Sequence, residues 1–378
     1  MTEASFKISI PDEKLELLRK KLELTALPDE LEDSGWKYGV PLGDIRRLVA
    51  RWKDGFDWRA QEAILNAELP QFTRDIQVDG HGTLNIHYVH QKSQVVDAIP
   101  LLFIHGCTFH VVALSLPGYG FSQATKKQGF KTGQHAEVGN KLMISLGYDK
   151  YVTQGGDWGA IITRKLSSVY GGAHSQAWHT NMPRVRPPTI YEPLLYLRHM
   201  LTPYTETEKV GLQRTKWFEN QGRGYHSQHS TQPQTIGYSL ADSPVGLLSW
   251  IYEKLVNWSD SYPWDDDEVL TWVSIYWFSR EGPTASIRLY YEYVQSGDRV
   301  LTKEPTIPLG LSYFPKEVRS YPRLWSRAEG NLVFESEHTS GGHFAAHEKP
   351  HELVDDLRKM FGKDGPAFGV VPGRIGYV

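Results

Sequence analysis

The chain has 378 residues, more than the roughly 250–300 at which a single hydrophobic core usually stops growing, so we expect one large domain with a smaller one inserted or appended. Hydrophobic residues make up 40% of the chain and aromatic residues 12%, which is enough material for a buried core. The 41 basic and 44 acidic residues give a net charge of −3, which provides no electrostatic support for binding nucleic acid or an anionic membrane.

Cysteine content and apolar segments indicate the compartment. Cys107 is the single cysteine, so an internal disulfide is excluded and a reducing compartment is favoured. No stretch approaches the ~20 apolar residues that a membrane-spanning helix needs, and the N-terminus is charged from its third residue, unlike a signal peptide. We therefore expect a cytoplasmic protein with no stable membrane anchor.

The first 75 residues are predicted to be mostly helical. Pro11 and Asp12 stand at a helix start and are followed by leucines at near-helical spacing, and residues 44–67 predict one or two further helices around Gly55. Alternating apolar and polar residues at 72–90 then predict two paired strands around an Asp-Gly-His-Gly turn.

Strands and helices alternate from residue 98, which indicates a parallel sheet. The region between about 183 and 298 is helical and aromatic instead, and it resembles an insertion into the sheet domain. A Gly/Pro-rich tail follows Lys363, and we expect it to be loosely held. The predicted strands are 98–106, 110–122, 151–154, 174–183, 307–315 and 330–336, with helices at 159–171 and 351–362.

The stretch "QGGDWGA" (154–160) places Asp157 in the small-x-nucleophile-x-small pattern of a nucleophile elbow. An ordinary turn or helix N-cap explains these residues equally well when they are taken alone. An aspartate is ionised at neutral pH without a base, and it can attack a saturated carbon to form an ester that water must then cleave. That chemistry predicts a downstream acid and then a histidine, in that chain order.

His343 in "SGGHFAAHEKP" is the best-placed histidine, because it follows the last predicted strand in a glycine-rich loop. His338 and His347 compete with it, and most single histidines in surface loops have no catalytic role. Glu317 lies in the loop after the preceding strand, where no aspartate is nearer than Asp298, although a solvated surface glutamate is the more common case.

Two tyrosines of the inserted region are candidates for activating an electrophile. Tyr225 and Tyr290 carry phenols that stay protonated at neutral pH and can donate to a developing alkoxide. The chain has 20 tyrosines, however, and most of them should serve packing.

The sequence resembles the microsomal-type epoxide hydrolases of the α/β-hydrolase superfamily, and most closely the soluble fungal members, over nearly its whole length. "GGDWG" alone would not separate this family from haloalkane dehalogenases, but the lid motif is long and specific. The motifs that carry the resemblance are "IPDEKLELLRKKL" (10–22), "FDWRAQEAILNAELPQF" (56–72), "SLPGYGFS" (115–122), "QGGDWG" (154–159), "STQPQTIGYSLADSPVGLLSWIYEKL" (230–255) and "GGHFAA" (341–346).

The resemblance implies an α/β-hydrolase fold with a mostly parallel sheet, a helical lid and a helical N-terminal extension. It divides the chain into an extension (1–90), a core (91–182 and 299–378) and a lid (183–298). It also implies that hydrophobic epoxides and water become vicinal diols with no metal or organic cofactor.

Position by position, the family pattern assigns the nucleophile to Asp157, the base to His343 and the orienting acid to Glu317. Tyr225 and Tyr290 match the two lid tyrosines that hold the epoxide oxygen. The expected oxyanion donors are the backbone N–H of Trp158 and the backbone N–H of Cys107.

The chain departs from the family after His105 and Gly106, where the family has an aromatic residue, a proline, a loop and a whole helix before the next strand. Here only Cys107 and Thr108 precede "FHVV". Two residues span about 7 Å, whereas parallel neighbours need a crossover of about a dozen residues. We interpret the gap as a deletion, of the kind that mis-splicing or a faulty gene model produces.

The deletion predicts three alternative outcomes: a hairpin between the two strands, expulsion of one strand, or one irregular segment over 98–122. Each would uncover apolar surface at a cost of about 25 cal/mol per Å2.

Other functions remain open alongside epoxide hydrolysis. A haloalkane dehalogenase also uses an aspartate followed by a tryptophan such as Trp158, and the deletion favours a catalytically impaired, ligand-binding relative. A serine esterase is disfavoured because Asp157 occupies the nucleophile position. The lid and the N-terminal extension offer surfaces for a homodimer.

Overall fold

The computed structural model describes residues 3–104, 109–298, 301, 303–327 and 329–376. Within these ranges nine strands form one sheet, in the spatial order β1-β2-β3-β5-β4-β6-β7-β8-β9. The strands are β1 (Ala4–Ser5), β2 (Gln71–Val78), β3 (Gly82–Gln91), β4 (Pro100–Ile104), β5 (His110–Leu114), β6 (Tyr151–Gly155), β7 (Ser175–Thr180), β8 (Pro308–Tyr313) and β9 (Asn331–Glu337).

Fifteen α-helices occur in the same described ranges, together with a 3-10 turn at Gly35–Tyr38 and a π turn at Phe218–Gly222. No helix in that part of the chain is long and apolar enough to cross a membrane. The helices are α1 (Asp12–Glu23), α2 (Leu42–Asp54), α3 (Trp58–Glu68), α4 (Thr132–Ser145), α5 (Trp158–Tyr170), α6 (Pro193–Leu201), α7 (Glu206–Trp217), α8 (Gly224–Thr231), α9 (Pro233–Asp242), α10 (Pro244–Trp258), α11 (Asp266–Trp277), α12 (Arg288–Gln295), α13 (Arg323–Ser326), α14 (Ala345–Glu348) and α15 (Pro350–Phe361).

The sheet is antiparallel from β1 to β5 and parallel from β5 to β9. Helices α4 and α5 pack on one face, where Leu142 and Leu166 join Leu102 and Tyr151 in a fully buried cluster. Helix α15 packs on the opposite face. Helices on both faces of a largely parallel sheet confirm the predicted α/β-hydrolase architecture.

The N-terminal helices pack against the inserted helices, as the shared buried cluster of Leu22, Leu48, Leu248 and Leu270 shows. Arg51 of α2 also donates two hydrogen bonds, of 2.7 and 2.6 Å, to the Asp267 carboxylate of α11. Segment 1–90 contributes β1, β2 and β3 to the main sheet as well. The division of the chain at residues 90, 182 and 298 stays a proposal.

The arrangement of β4 and β5 differs from what the short link predicts. The two strands are parallel neighbours, with Pro100 opposite His110. The described residues of 98–122 therefore form neither a hairpin nor one irregular segment, and neither strand is expelled from the sheet. The expectation was wrong because it counted only Cys107 and Thr108 as the link. The strands end at Ile104 and begin at His110, and six chain steps of about 3.3–3.6 Å reach farther than the offset of about 13 Å between these ends.

Apolar side chains of β4 and β5 are buried although the link between the two strands is short. Leu101, Phe103 and Val111 are at most 3% exposed. They belong to a cluster with α15 and with Ala367 and Val371 of the C-terminal tail.

The tail is therefore not loosely held, which corrects the expectation from its composition. Two polar contacts also fasten its end: the Gly376 N–H donates to the Asp97 carbonyl at 2.9 Å, and Arg374 donates to the Val96 carbonyl at 2.7 Å. Glycine and proline shape this tail without preventing it from packing.

Replacement of Val371, which is 2% exposed, by alanine should lower the free energy of unfolding by roughly 1–3 kcal/mol, because it leaves a cavity in this cluster. Replacement of Phe368, which is 41% exposed in the same tail, by alanine is the matched control and should change it little. Urea titration measures both. If Val371→Ala changed the free energy of unfolding as little as Phe368→Ala, the tail would not stabilise the sheet.

Candidate active site

Asp157 lies at a sharp turn between β6 and α5, in the backbone conformation φ 47°, ψ −123°, which a residue with a side chain rarely adopts. Gly155 permits the turn, because a Cβ atom at that position would lie 2.4 Å from the backbone of Gly159. The strained turn holds the Asp157 side chain at the carboxyl end of the parallel strands, as the elbow pattern predicts.

His343 lies between two carboxylates. Its Nε2 is 3.0 Å from Asp157 Oδ2, and its Nδ1 is 2.6 Å from Glu317 Oε1. Glu317 follows β8 and His343 follows β9, so three separate strand ends supply the three side chains. The structure thus brings together the three side chains that the sequence predicted as nucleophile, base and orienting acid.

Hydrogen bonds to backbone groups hold the loops that carry Glu317 and His343 in place. The Lys316 N–H donates to the Gly341 carbonyl at 3.0 Å, and the His343 N–H donates to the Trp258 carbonyl at 2.8 Å. Arg214 donates to the carbonyls of Lys316 at 3.3 Å and Asn257 at 2.6 Å. The lid therefore fixes the loops that carry the acid and the base.

The two competing histidines have other partners. His338 Nε2 lies 2.6 Å from the Asp356 carboxylate, which is fully buried under the sheet, and His347 Nε2 lies 2.7 Å from Glu268 Oε1. Neither ring is paired with Asp157, so His343 is the one of these three histidines that lies against the predicted nucleophile.

Charges and hydrogen bonds among Asp157, His343 and Glu317 shift the pKa values of Asp157 and His343. Burial raises the pKa of Asp157, but the hydrogen bond and charge of His343 and the Trp158 N–H hold that pKa below its ordinary value. Burial lowers the pKa of His343, but Glu317 and Asp157 outweigh this effect and raise it to about 10. The resting site therefore holds an imidazolium between two carboxylates.

A cavity of about 600 Å3 opens above Asp157, and 44% of the Asp157 side chain is accessible within it. Tyr225 and Tyr290 line the cavity with ring centroids 5.9 Å apart, and the Tyr290 ring contacts Trp158 edge-on at 4.8 Å. Burial and the charge of Asp157 both raise the pKa of each tyrosine, so both phenols stay protonated. The two phenols can donate to an oxygen in the cavity.

Two further tyrosines, Tyr119 and Tyr276, line the cavity and were not predicted from the sequence. Burial and the charge of Asp157 raise the pKa of Tyr276 to about 12, and they raise the pKa of Tyr119 as well. Tyr119 lies within the quoted motif "SLPGYGFS", so its position in that glycine-rich loop was an available signal. Tyr276 is one of many aromatic residues in α11 and carries no such signal.

The structure describes only one of the two expected oxyanion donors. The Trp158 N–H lies at the site and donates to Asp157 Oδ1 at 2.7 Å. Cys107 lies outside the described residues. Among the residues that the structure does describe, no group of three or more His, Cys, Asp or Glu side chains could hold a metal ion.

Comparison with known families agrees with this geometry. The α/β-hydrolase fold family matches residues 81–186, and the family described as the epoxide hydrolase N terminus matches residues 3–113. The fold and the elbow define an α/β hydrolase.

Comparison with individual relatives identifies the family within the α/β hydrolases. Epoxide hydrolase 1 of Sus scrofa is 31% identical, over 94% of this chain and 88% of its own length. The epoxide hydrolase structure from Aspergillus niger is 34% identical, with a TM-score of 0.81 over 94% of this chain and 95% of its own. A juvenile hormone epoxide hydrolase structure from Bombyx mori, at 24% identity, a TM-score of 0.83, and coverage of 95% of this chain and 93% of its own, shows the same fold. The chain belongs to the epoxide hydrolase family.

The alignment with the Sus scrofa protein also bears on the deletion. It runs over 408 positions, more than the 378 residues of this chain, so this chain carries gaps relative to that protein.

The free energy of unfolding should fall as the pH rises from about 6.5 to about 10. The native state holds a proton on His343 through this window, whereas the unfolded chain releases it near the ordinary histidine pKa. Glu317→Gln removes one of the two charges that raise this pKa, so its unfolding free energy should change less over the same window. Urea titrations at several pH values measure both.

Glu16→Gln, at an exposed position on α1, is the matched control and should follow the wild type. A flat profile for the wild type would contradict the imidazolium assignment.

Proposed function

We propose that the protein hydrolyses hydrophobic epoxides to vicinal diols through a covalent ester on Asp157. The proposal rests above all on one arrangement: an ionised Asp157 paired with His343 at 3.0 Å, at the base of a cavity that two protonated tyrosines face. The family membership supports the reaction class. The mostly aromatic and aliphatic lining of the cavity supports the choice of hydrophobic substrates.

In the first step the Asp157 carboxylate attacks an epoxide carbon from the side opposite the ring oxygen. The carbon–oxygen bond of the ring breaks, and the oxygen takes a proton from Tyr225 or Tyr290. Alignment of the carboxylate with the strained ring supplies much of the acceleration. The phenols stabilise the charge that develops on the oxygen, so a strong acid is not needed.

Esterification also prepares the base for the second step. The ester is neutral, so one of the two charges that raise the pKa of His343 disappears. His343 can then return its proton to the tyrosinate and become a neutral imidazole. Glu317, at 2.6 Å from Nδ1, keeps the ring oriented with Nε2 toward the ester.

In the second step neutral His343 takes a proton from water, and the resulting hydroxide attacks the ester carbonyl. The tetrahedral oxyanion then accepts a hydrogen bond from the Trp158 N–H, whose nitrogen already lies 2.7 Å from Asp157 Oδ1. Collapse releases the diol as its alkoxide, which takes a proton from His343 to give the neutral diol. The proton left on the Asp157 carboxyl group then passes to His343 and restores the resting state. The family pattern implies a second donor in the N–H of Cys107, which lies outside the described residues, and loss of one such donor typically slows acyl transfer by about 100–1,000-fold.

A dehalogenase would need halide-binding N–H donors on the lid, where Trp250, Trp258 and Trp272 line the cavity, whereas paired lid phenols suit an epoxide oxygen. The paired phenols therefore favour epoxide opening. An impaired relative would keep the same geometry and fail in the second step. The cytoplasmic location and the homodimer stay predictions.

His343→Ala should accumulate the ester, because water is no longer activated after Asp157 has reacted. Incubation with styrene oxide should add the mass of one epoxide to the intact protein, and peptide mapping should place the adduct on Asp157. The double variant Asp157→Asn, His343→Ala is the control and should stay unmodified. An unmodified His343→Ala protein that is still folded would contradict the proposed nucleophile.

Replacement of Tyr225 or Tyr290 by phenylalanine should slow ester formation by about 100-fold or more, because each phenol donates to the developing alkoxide. Rapid mixing with styrene oxide measures this step directly. The double variant should show no detectable epoxide opening. Tyr238→Phe, at a position that is 70% exposed, is the control and should react at the wild-type rate. Retention of epoxide opening in the double variant would exclude the two phenols as the donors.

A further inference from the structure

A second polar pair lies in the wall of the substrate cavity, and the proposed chemistry does not use it. His347, in the short helix α14, lines the cavity. Its Nε2 lies 2.7 Å from Glu268 Oε1, and the same carboxylate oxygen accepts a hydrogen bond of 3.0 Å from the Tyr262 hydroxyl. Two elements of the lid thus fix the His347 ring.

Aromatic rings hold this imidazole on several sides. It is nearly parallel to Trp264, with an interplanar angle of 7° and ring centroids 5.2 Å apart. Tyr262 and Trp272 approach it at 5.1 and 5.6 Å. Because these contacts and the Glu268 bond leave the ring little freedom to rotate, its second nitrogen has a fixed direction.

The second nitrogen, Nδ1, is available to a ligand. Glu268 is an acceptor, so an uncharged His347 carries its proton on Nε2 and presents a lone pair on Nδ1. Among the described residues no protein group hydrogen-bonds Nδ1, and it is not one of the buried polar atoms that lack a partner. A hydroxyl group in the cavity could donate to it.

An apolar stretch of wall separates this acceptor from the reaction centre. The rings of His343 and Phe344 are 5.4 Å apart, Phe344 and Trp272 are 5.4 Å apart, and Trp272 then meets His347. Phe344 and Trp272 both line the cavity. A substrate that reaches from Asp157 to His347 therefore needs an apolar middle and a polar far end.

We propose that the preferred substrates are epoxides that carry a hydroxyl group beyond an apolar spacer, and that His347 accepts the hydrogen bond from this hydroxyl. The inference rests on the proposed function, whose reaction centre defines the near end of the substrate. Glu268 is the positioning residue, because it sets the tautomer and the direction of the ring. A site built to bond a hydroxyl discriminates against the analogue that lacks it.

The test compares matched substrates at pH 8.5, where histidine is ordinarily uncharged. One pair is 4-(hydroxymethyl)styrene oxide and 4-methylstyrene oxide, and the second pair has a biphenyl spacer with the same two end groups. The wild type should favour the hydroxyl compound by at least about 10-fold in kcat/KM in one of the pairs, which corresponds to about 1.4 kcal/mol.

The variant His347→Phe keeps an aromatic ring against Trp264 but has no acceptor. It should lose the preference, because only the hydroxyl compound gives up a hydrogen bond, so the readout is the ratio of the two kcat/KM values within each pair. His347→Gln, which restores an acceptor oxygen, should recover part of the preference. His351→Phe, at an exposed position on α15, is the matched control and should behave as wild type.

Absence of a preference in both pairs, or a preference that survives in His347→Phe, would overturn the inference. Titration calorimetry with the two product diols of each pair separates this result from failure of the chemistry, because binding needs no turnover. Selective diol binding that disappears in His347→Phe, with no turnover of any epoxide, would support the inference and overturn the proposed function. Equal binding of both diols would overturn the inference alone.

Discussion

The candidate site depends on one imidazole ring held between two carboxylates. His343 lies 3.0 Å from Asp157 and 2.6 Å from Glu317, and the three side chains come from three different strand ends. The arrangement is coherent only if β6, β8 and β9 keep their order and direction in the sheet. A parallel sheet provides this, because it collects the carboxyl ends of its strands along one edge, where loops far apart in sequence can meet.

In the proposed mechanism, the same ion pairing allows His343 to serve two steps that need opposite protonation states. Ester formation needs an ionised Asp157, which the imidazolium stabilises, whereas ester hydrolysis needs a neutral base. Conversion of Asp157 to a neutral ester removes part of what raises the pKa of His343, so the reaction itself generates the base. Glu317 takes no part in bond formation in this mechanism. Its contact of 2.6 Å with His343 Nδ1 can therefore keep the imidazole ring oriented through both steps.

The sequence was sufficient to predict those parts of the fold whose signals are local. The "QGGDWGA" turn and the alternating residues at 72–90 predicted the elbow and the hairpin correctly, since backbone sterics and side-chain alternation act over a few residues. The choice of His343 over His338 and His347 depended on the family resemblance, because all three lie within ten residues of one another. Tyr276 was not predicted as a cavity residue, because its position there depends on how α11 packs over the cavity, which the spacing of aromatic residues in one helix does not reveal.

The two errors, at the β4–β5 link and in the C-terminal tail, have one common cause. Both arose from reading a segment without its tertiary neighbours. Strand β4 pairs with β6 as well as with β5, so its place in the sheet does not depend on the short link alone. The tail supplies Val371 to the cluster that buries Leu101 and Val111, on the face where a crossover helix is absent. Burial of apolar area is non-directional, so a glycine-rich tail can contribute to covering that face as a helix would, provided that its apolar side chains reach the same cluster. Despite the short link between β4 and β5, Val152 of β6, the strand that carries the elbow, is therefore buried in the same cluster.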